Sequence, residues 1–202
     1  MRRAAAIALA LAACRPSGPP ALPPMHANGP GFLARQTVIA QHDGRPARFD
    51  AVVQVSGDEL LLLGLTPMGT KAFAVRQRGA EVSVERFIDA PLPAPAEAVL
   101  LDIHRAWLDD RPTTARADGW HRRRVTDEKG ERVRIEERWA AGKLYERVWG
   151  RHRDAAADRV RWPDGLAPGA TPKRVELDHP SLGLALAIHT LEYRELDRSV
   201  PH

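Results

Sequence analysis

Apolar and polar residues alternate at period two through most of the chain, and this pattern predicts strands over 32–41, 47–55, 59–65, 71–78 and 80–87. Within the second, Phe49, Ala51, Val53 and Val55 share one face. The period then changes. "APLPAPAEAVLLDIHRAWLDDRP" begins with prolines suited to a helix start near Ala94, sets Leu100, Ile103 and Trp107 on one helical face, and stops at Pro112. Alternation resumes in "HRRRVTDEKGERVRIEERW", a hairpin turning at Lys129-Gly130, and in "GKLYERVWGR". "RWPDGLAPGATP" reads as a loop rich in glycine and proline, and strands over 173–178 and 182–195 close the chain around His179-Pro180. The expected fold is mainly β with one inserted helix: a strongly curved antiparallel meander whose concave face the helix covers.

The first residues break this pattern. Behind Arg2 and Arg3, residues 4–13 form an apolar stretch of ten residues, half the roughly 20 that a membrane-spanning helix needs. Its length and flanks are those of a secretory signal, assigned to residues 1–13. The stretch ends in Leu11-Ala12-Ala13-Cys14, which resembles the bacterial lipobox and implies that Cys14, the single cysteine, receives lipid. Two or more acyl chains anchor a protein stably. Arg15 stands where the enterobacterial sorting rule has Asp for inner-membrane retention, so the resemblance implies the periplasmic face of the outer membrane. Residues 14–30 are the lipidated cysteine and a tether with six prolines, extending by up to about 3.1 Å per residue. Residues 31–202 remain as one domain. The net charge of +4 falls to about +2 without Arg2 and Arg3, a mild balance that gives an exported chain no basis for nucleic-acid binding.

One turn stands out. In "LLLLGLTPMGTKAFAV", Thr66-Pro67-Met68-Gly69 has proline at the second position and glycine at the fourth of a tight turn, which leaves Met68 at the tip. Exposing it forgoes roughly 1.5–3 kcal/mol of burial. This segment resembles the leucine-rich strand, Asn/Thr-Pro-Leu-Gly turn and following strand of the LolB family, outer-membrane receptors for lipoproteins. "TPKRVELDHPSLGLALAIHTLEYREL" resembles that family's closing hairpin. The likeness runs from about Phe32 to the end. Closer still are LolB-like lipoproteins of uncharacterised function encoded beside aryl polyene biosynthesis genes.

The resemblance implies a LolA/LolB-like incomplete antiparallel β-barrel with a helical lid, wrapped around an apolar hollow that holds acyl chains. It also implies that Pro67, Met68 and Gly69 form a membrane-insertion loop. The candidate hollow is lined by Phe49, Val53, Phe73, Val75, Ile135, Leu184 and Leu186 from the strands and by Leu100, Ile103 and Trp107 from the helix. Cargo would be a lipoprotein, lipid or polyene, with a periplasmic carrier among the candidate partners. The alternative is a non-catalytic periplasmic scaffold whose hollow is filled by its own side chains. Two features depart from the family: the tether replaces a helix ahead of the first strand, and the loop over 164–172 is particular to this chain.

The remaining chemistry is sparse. No two of the eight histidines share a metal-pair spacing. Asp102 and His104, two residues apart, point to different helical faces and do not make a catalytic pair. No nucleophile elbow, phosphate-binding loop or dinucleotide fingerprint occurs. Neither catalytic residue, metal nor cofactor is therefore assigned, and the chain is read as a binding protein rather than an enzyme. Arg122, Arg123, Arg124, Arg147, Arg151 and Arg153 are expected on a solvated strand face, opposite Val125, Val133 and Ile135. Some of Trp107, Trp120, Trp139, Trp149 and Trp162 should be core.

Overall fold

A computed structural model describes residues 22–25, 31–42, 44–89, 92, 94–108, 111–126, 130, 132–151 and 157–196. The signal segment and Cys14 lie outside the described residues, as do Arg153 and most of the turn expected at Lys129-Gly130.

Five strands come first: β1 (Gly31–His42), β2 (Arg45–Ser56), β3 (Glu59–Leu65), β4 (Lys71–Arg78) and β5 (Glu81–Arg86). The helix α1 (Ala96–Ile103) follows and continues into one π-helical turn, His104–Leu108. Six more strands complete the chain: β6 (Gly119–Thr126), β7 (Arg132–Ala140), β8 (Lys143–Arg151), β9 (Asp158–Leu166), β10 (Arg174–His179) and β11 (Leu184–Leu196). They form one antiparallel sheet in the order β5-β4-β3-β2-β1-β11-β10-β9-β8-β7-β6. No ladder joins β5 to β6 among the described residues, so the sheet stays open, as the incomplete barrel requires.

Strand pairing turns the sequence alternation into one continuous apolar face. Phe32, Ala34, Gln36 and Val38 of β1 stand opposite Val55, Val53, Ala51 and Phe49 of β2. Val53 and Val55 in turn oppose Leu62 and Leu60 of β3, which oppose Val75 and Gln77 of β4. On the other side, Val38 faces Ile188 of β11, and Leu186 and Leu184 face Leu177 and His179 of β10. Because side chains alternate across a strand, every one of these positions falls on the same side of the sheet. Leu100, Ile103 and Trp107 pack against that side and join the same buried cluster. At about 25 cal/mol per Å² of apolar area removed from water, this cluster is the main stabilising element.

One close approach shapes β3. Gly64 lies beneath the ring of Phe73, and a Cβ there would sit 2.2 Å from the ring carbon Cε1. Only glycine lets the aromatic ring lie over the backbone. Phe73 in turn meets Phe49 edge to face at 5.9 Å.

Three sequence expectations change. The segment expected as a loop from Arg161 begins as strand: β9 runs to Leu166, with Val160, Trp162 and Leu166 buried. Pro163 sits where the ladder is broken, since Leu144 pairs with Leu166 while Glu146 pairs with Arg161. A proline costs no hydrogen bond in such a bulge. Arg147 is not on a solvated face but 3% exposed, paired to the equally buried Glu137. Arg123 shares the inward side with Val125, whereas Arg122 and Arg124 point outward. Finally, residues 22–25 of the tether dock on the domain. Met25 is buried, its amide donates to the Gly79 carbonyl at 2.9 Å, and Gln77 Nε2 donates to the Pro23 carbonyl at 2.7 Å.

Trp107, Trp139 and Trp162 are core, Trp149 is partly buried and Trp120 is exposed.

Candidate functional site

Beneath α1 lies an apolar cavity of about 40 Å³. Val38 of β1, Phe49, Ala51 and Val53 of β2, Leu62 of β3 and Leu184, Leu186 and Ile188 of β11 form its floor. Ala94, Val99, Ile103 and Trp107 form its roof. One buried water needs about 10–15 Å³, so the cavity has room for about three water-sized groups. The interior is therefore fuller than the acyl-sized hollow that the resemblance implies. Side chains from β1, β2 and β11 meet the helix closely enough to occupy most of the space themselves.

Of the expected lining residues, Phe49, Val53, Ile103, Trp107, Leu184 and Leu186 face the cavity. Phe73, Val75 and Leu100 are buried in the surrounding cluster without reaching it. Ile135 is buried on β7, outside that cluster.

Polar groups interrupt this greasy wall. Gln36 and Asp102 also line the cavity. Gln36 Nε2, Asp102 Oδ2 and Trp107 Nε1 are all buried without a hydrogen-bond partner among the described residues. Each such group costs about 1–3 kcal/mol. Two are donors and one is an acceptor, all on wall residues.

The other oxygen of Asp102 belongs to a partly buried ionic chain that fastens the helix to the sheet. His179 Nε2 donates to Asp102 Oδ1 at 2.6 Å, and His179 Nδ1 donates to Asp158 Oδ1 at 3.0 Å. Arg105 Nη1 donates to Asp158 Oδ2 at 2.8 Å, and its guanidinium lies 4.8 Å over the Trp149 ring. Burial alone would lower the pKa of His179, but hydrogen bonds to Asp102 and then Asp158 raise it to about 10. Burial alone would raise that of Asp158, but its hydrogen bond to His179 and the charge of Arg105 lower it to about 2. The ring is thus an imidazolium at neutral pH, which is the wrong state for a general base. Its role is structural: two cations and two carboxylates join α1 and its π-helical turn to β9 and β10. Sequence spacing did not reveal this set, because a period identifies a face but not a partner far along the chain.

A second polar contact holds the same, C-terminal end of the helix. His104 Nε2 donates to Gln77 Oε1 at 2.9 Å, and Gln77 also holds Pro23 and Gly79. Asp102 and His104 do point to separate partners.

The Met68 turn sits at the opposite end of β4. Gly69 N donates to the Thr66 carbonyl at 2.8 Å, Thr66 N to the Thr70 carbonyl at 2.8 Å, and the two threonine hydroxyls are 2.7 Å apart. Gly69 has φ of +78°, a value that glycine takes without strain. The turn is rigidly closed, and Met68 projects from it 90% exposed. At the same end, the amide of Phe87 bonds to the carbonyl of Ala72, and Phe87 and Ile88 are both exposed. Lys71 Nζ lies 5.8 Å over the Phe87 ring. Phe87 and Ile88 carried no sequence signal, because only the β4–β5 pairing brings them to the end of the sheet that bears Met68.

No helix among the described residues is long and apolar enough to cross a membrane. No group of metal-ligating side chains occurs among them either.

Residues 33–192 match DUF3261, a family described as a protein of unknown function. No curated protein matches the sequence. Among solved structures, the chain is similar to a domain assigned to outer membrane lipoprotein sorting from Vibrio parahaemolyticus, with 11% identity and a TM-score of 0.42 over 83% of this chain and 86% of that one. It is similar to a LolA superfamily protein from Nitrosomonas europaea, with 12% identity and a TM-score of 0.46 over 88% and 90% of the two chains. A DUF1329 family protein from Desulfovibrio piger gives 12% identity and a TM-score of 0.44 over 86% and 88%.

Proposed function

We propose a role for this chain from the premise that it belongs to the DUF3261 family, as the match over residues 33–192 shows. It is an outer-membrane lipoprotein, anchored by lipid on Cys14, that takes an acyl-bearing molecule beneath its helix and passes it to the membrane. The cargo is a lipoprotein, a lipid or a polyene. Met68 enters the lipid during delivery, with Phe87 and Ile88 at the same end of the sheet. No covalent step is required, since an acyl chain moves between two apolar surroundings at nearly balanced free energy.

The observation that carries this reading is the apolar cavity roofed by a helix that polar groups fasten down. An acyl chain is larger than about 40 Å³, so loading requires α1 to lift. The unmatched Gln36, Asp102 and Trp107 groups favour a cargo whose chain ends in a hydrogen-bonding head such as an ester, amide or hydroxyl.

The small cavity also favours a second reading, a non-catalytic periplasmic scaffold with a filled core. Solvent extraction of the purified chain followed by mass spectrometry separates the two. The carrier reading expects an acyl-bearing species in repeated preparations, diminished by Ala51→Leu, which fills the cavity. Repeated extracts without such a species support the scaffold.

A further inference from the structure

The three unmatched polar groups of the greasy cavity narrow the cargo further. Gln36, Asp102 and Trp107 are 3%, 2% and 1% exposed, so bulk solvent does not reach them. They come from different walls. Gln36 rises from β1, opposite Ala51 of β2, while Asp102 and Trp107 come down from α1 and its π-helical turn. All three line the same space of about 40 Å³. Gln36 Nε2 and Trp107 Nε1 are two donor nitrogens, and Asp102 Oδ2 is one acceptor. That carboxylate is not free to turn away, because its other oxygen accepts from His179 Nε2 at 2.6 Å.

Each class of polar head fares differently against this set. A carboxylate or phosphate would set a negative charge beside Asp102 Oδ2. An ammonium would suit that oxygen but oppose two N–H groups. An ester supplies acceptors only and leaves the carboxylate oxygen unmet, a loss that a buried site does not recover from water. A hydroxyl both accepts and donates, but its single oxygen fills about a third of a space that holds about three water-sized groups. A secondary amide carries the two functions on separate atoms. Its carbonyl oxygen has two lone pairs for the two donors, and its N–H meets the one acceptor. Carbon, oxygen and nitrogen together also fill the space.

We propose that the cavity recognises the amide of an N-acyl chain. The inference rests on the acyl-carrier reading and names the linkage of its cargo.

Calorimetric titration of the purified full chain tests it with N-methyloctanamide and methyl octanoate, which differ only in N–H against ester oxygen. The amide is expected to bind saturably and about tenfold more tightly than the ester, with octanoate weaker than either. Asp102→Asn, which presents an amide nitrogen or a neutral oxygen where the carboxylate was, should erase that preference. A merely structural role for Asp102 would weaken both probes alike. Gln36→Leu, which removes a donor to the carbonyl, should weaken the amide about fivefold. It decides together with the wild-type comparison where Asp102→Asn does not fold.

Equal affinities for amide and ester overturn the inference while leaving the carrier reading intact. Tighter binding of octanol than of the amide overturns it too. Saturable binding of none of these probes also overturns it, since water then satisfies the three groups, and the carrier reading still stands or falls by solvent extraction.

Discussion

Asp102 of the helix and His179 at the end of β10, 77 residues apart in sequence, meet at 2.6 Å in the buried interior. Both side chains are almost wholly buried, so bulk water cannot replace the contact. Removing one member of a buried ion pair leaves the other charge uncompensated, which costs about 3–5 kcal/mol. His179→Gln should lower unfolding stability by that amount in urea titration and increase hydrogen exchange in α1 before the strands. A loss below 1 kcal/mol would show that the ionic chain does not fasten the helix.

The same chain sets a pH profile. His179 holds its proton to about pH 10 in the fold but only to about 6.5 when unfolded. Its contribution is full below 6.5, declines as pH rises, and is gone above about 10. Asp158 acts oppositely, contributing fully above its ordinary 3.8 and losing that contribution as pH falls to about 2. Urea midpoints should therefore be highest near pH 5–6 and fall towards pH 10. In His179→Gln the alkaline decline should flatten. A wild-type midpoint as high at pH 10 as at pH 6 contradicts this assignment.

Gly64 and Phe73 form a packed unit in which the ring occupies the place of a side chain. Gly64→Val should destabilise by about 1–3 kcal/mol through overpacking. Adding Phe73→Leu should recover part of that loss, a coupling that a double-mutant cycle measures directly. Independent, additive losses would mean that the ring does not rest on Gly64.

Met68→Glu should leave stability within about 0.5 kcal/mol, since the side chain touches little. Insertion into lipid monolayers, read as a rise in surface pressure, should nevertheless fall. Phe87→Ser should lower it further if the exposed residues at that end of the sheet enter lipid together. Unchanged insertion in Met68→Glu removes the role proposed for the turn.

Much of the architecture was visible in the alternation, because the inner face of a curved sheet needs an apolar residue at every second position. Phe49, Val53, Leu184 and Leu186 were found that way, as was the helical face of Ile103 and Trp107. Turn chemistry located Met68 correctly, since proline and glycine leave few options for the residue between them. Periodicity fails where charge and burial coincide. Arg147 looks like a surface residue until Glu137 is placed across from it. Pro163 suggests a loop until the bulge absorbs it, and Ile135 has the right period on a strand remote from the cavity. His179 carries no local sign at all, because both of its partners come from other elements.

The docking of Met25 has a mechanical consequence. Gly79, which holds it, and the Met68 turn lie at opposite ends of β4, separated by eight strand residues or about 25 Å. From Cys14 to Leu22 the backbone can stretch at most roughly 29 Å. If Cys14 carries the proposed lipid, the molecule is on a short leash attached at the end far from its methionine. An upright posture, methionine downward, would draw that leash almost taut. A posture with β4 lying along the surface leaves slack, so such a leash would restrict how the proposed lipoprotein rests on a bilayer.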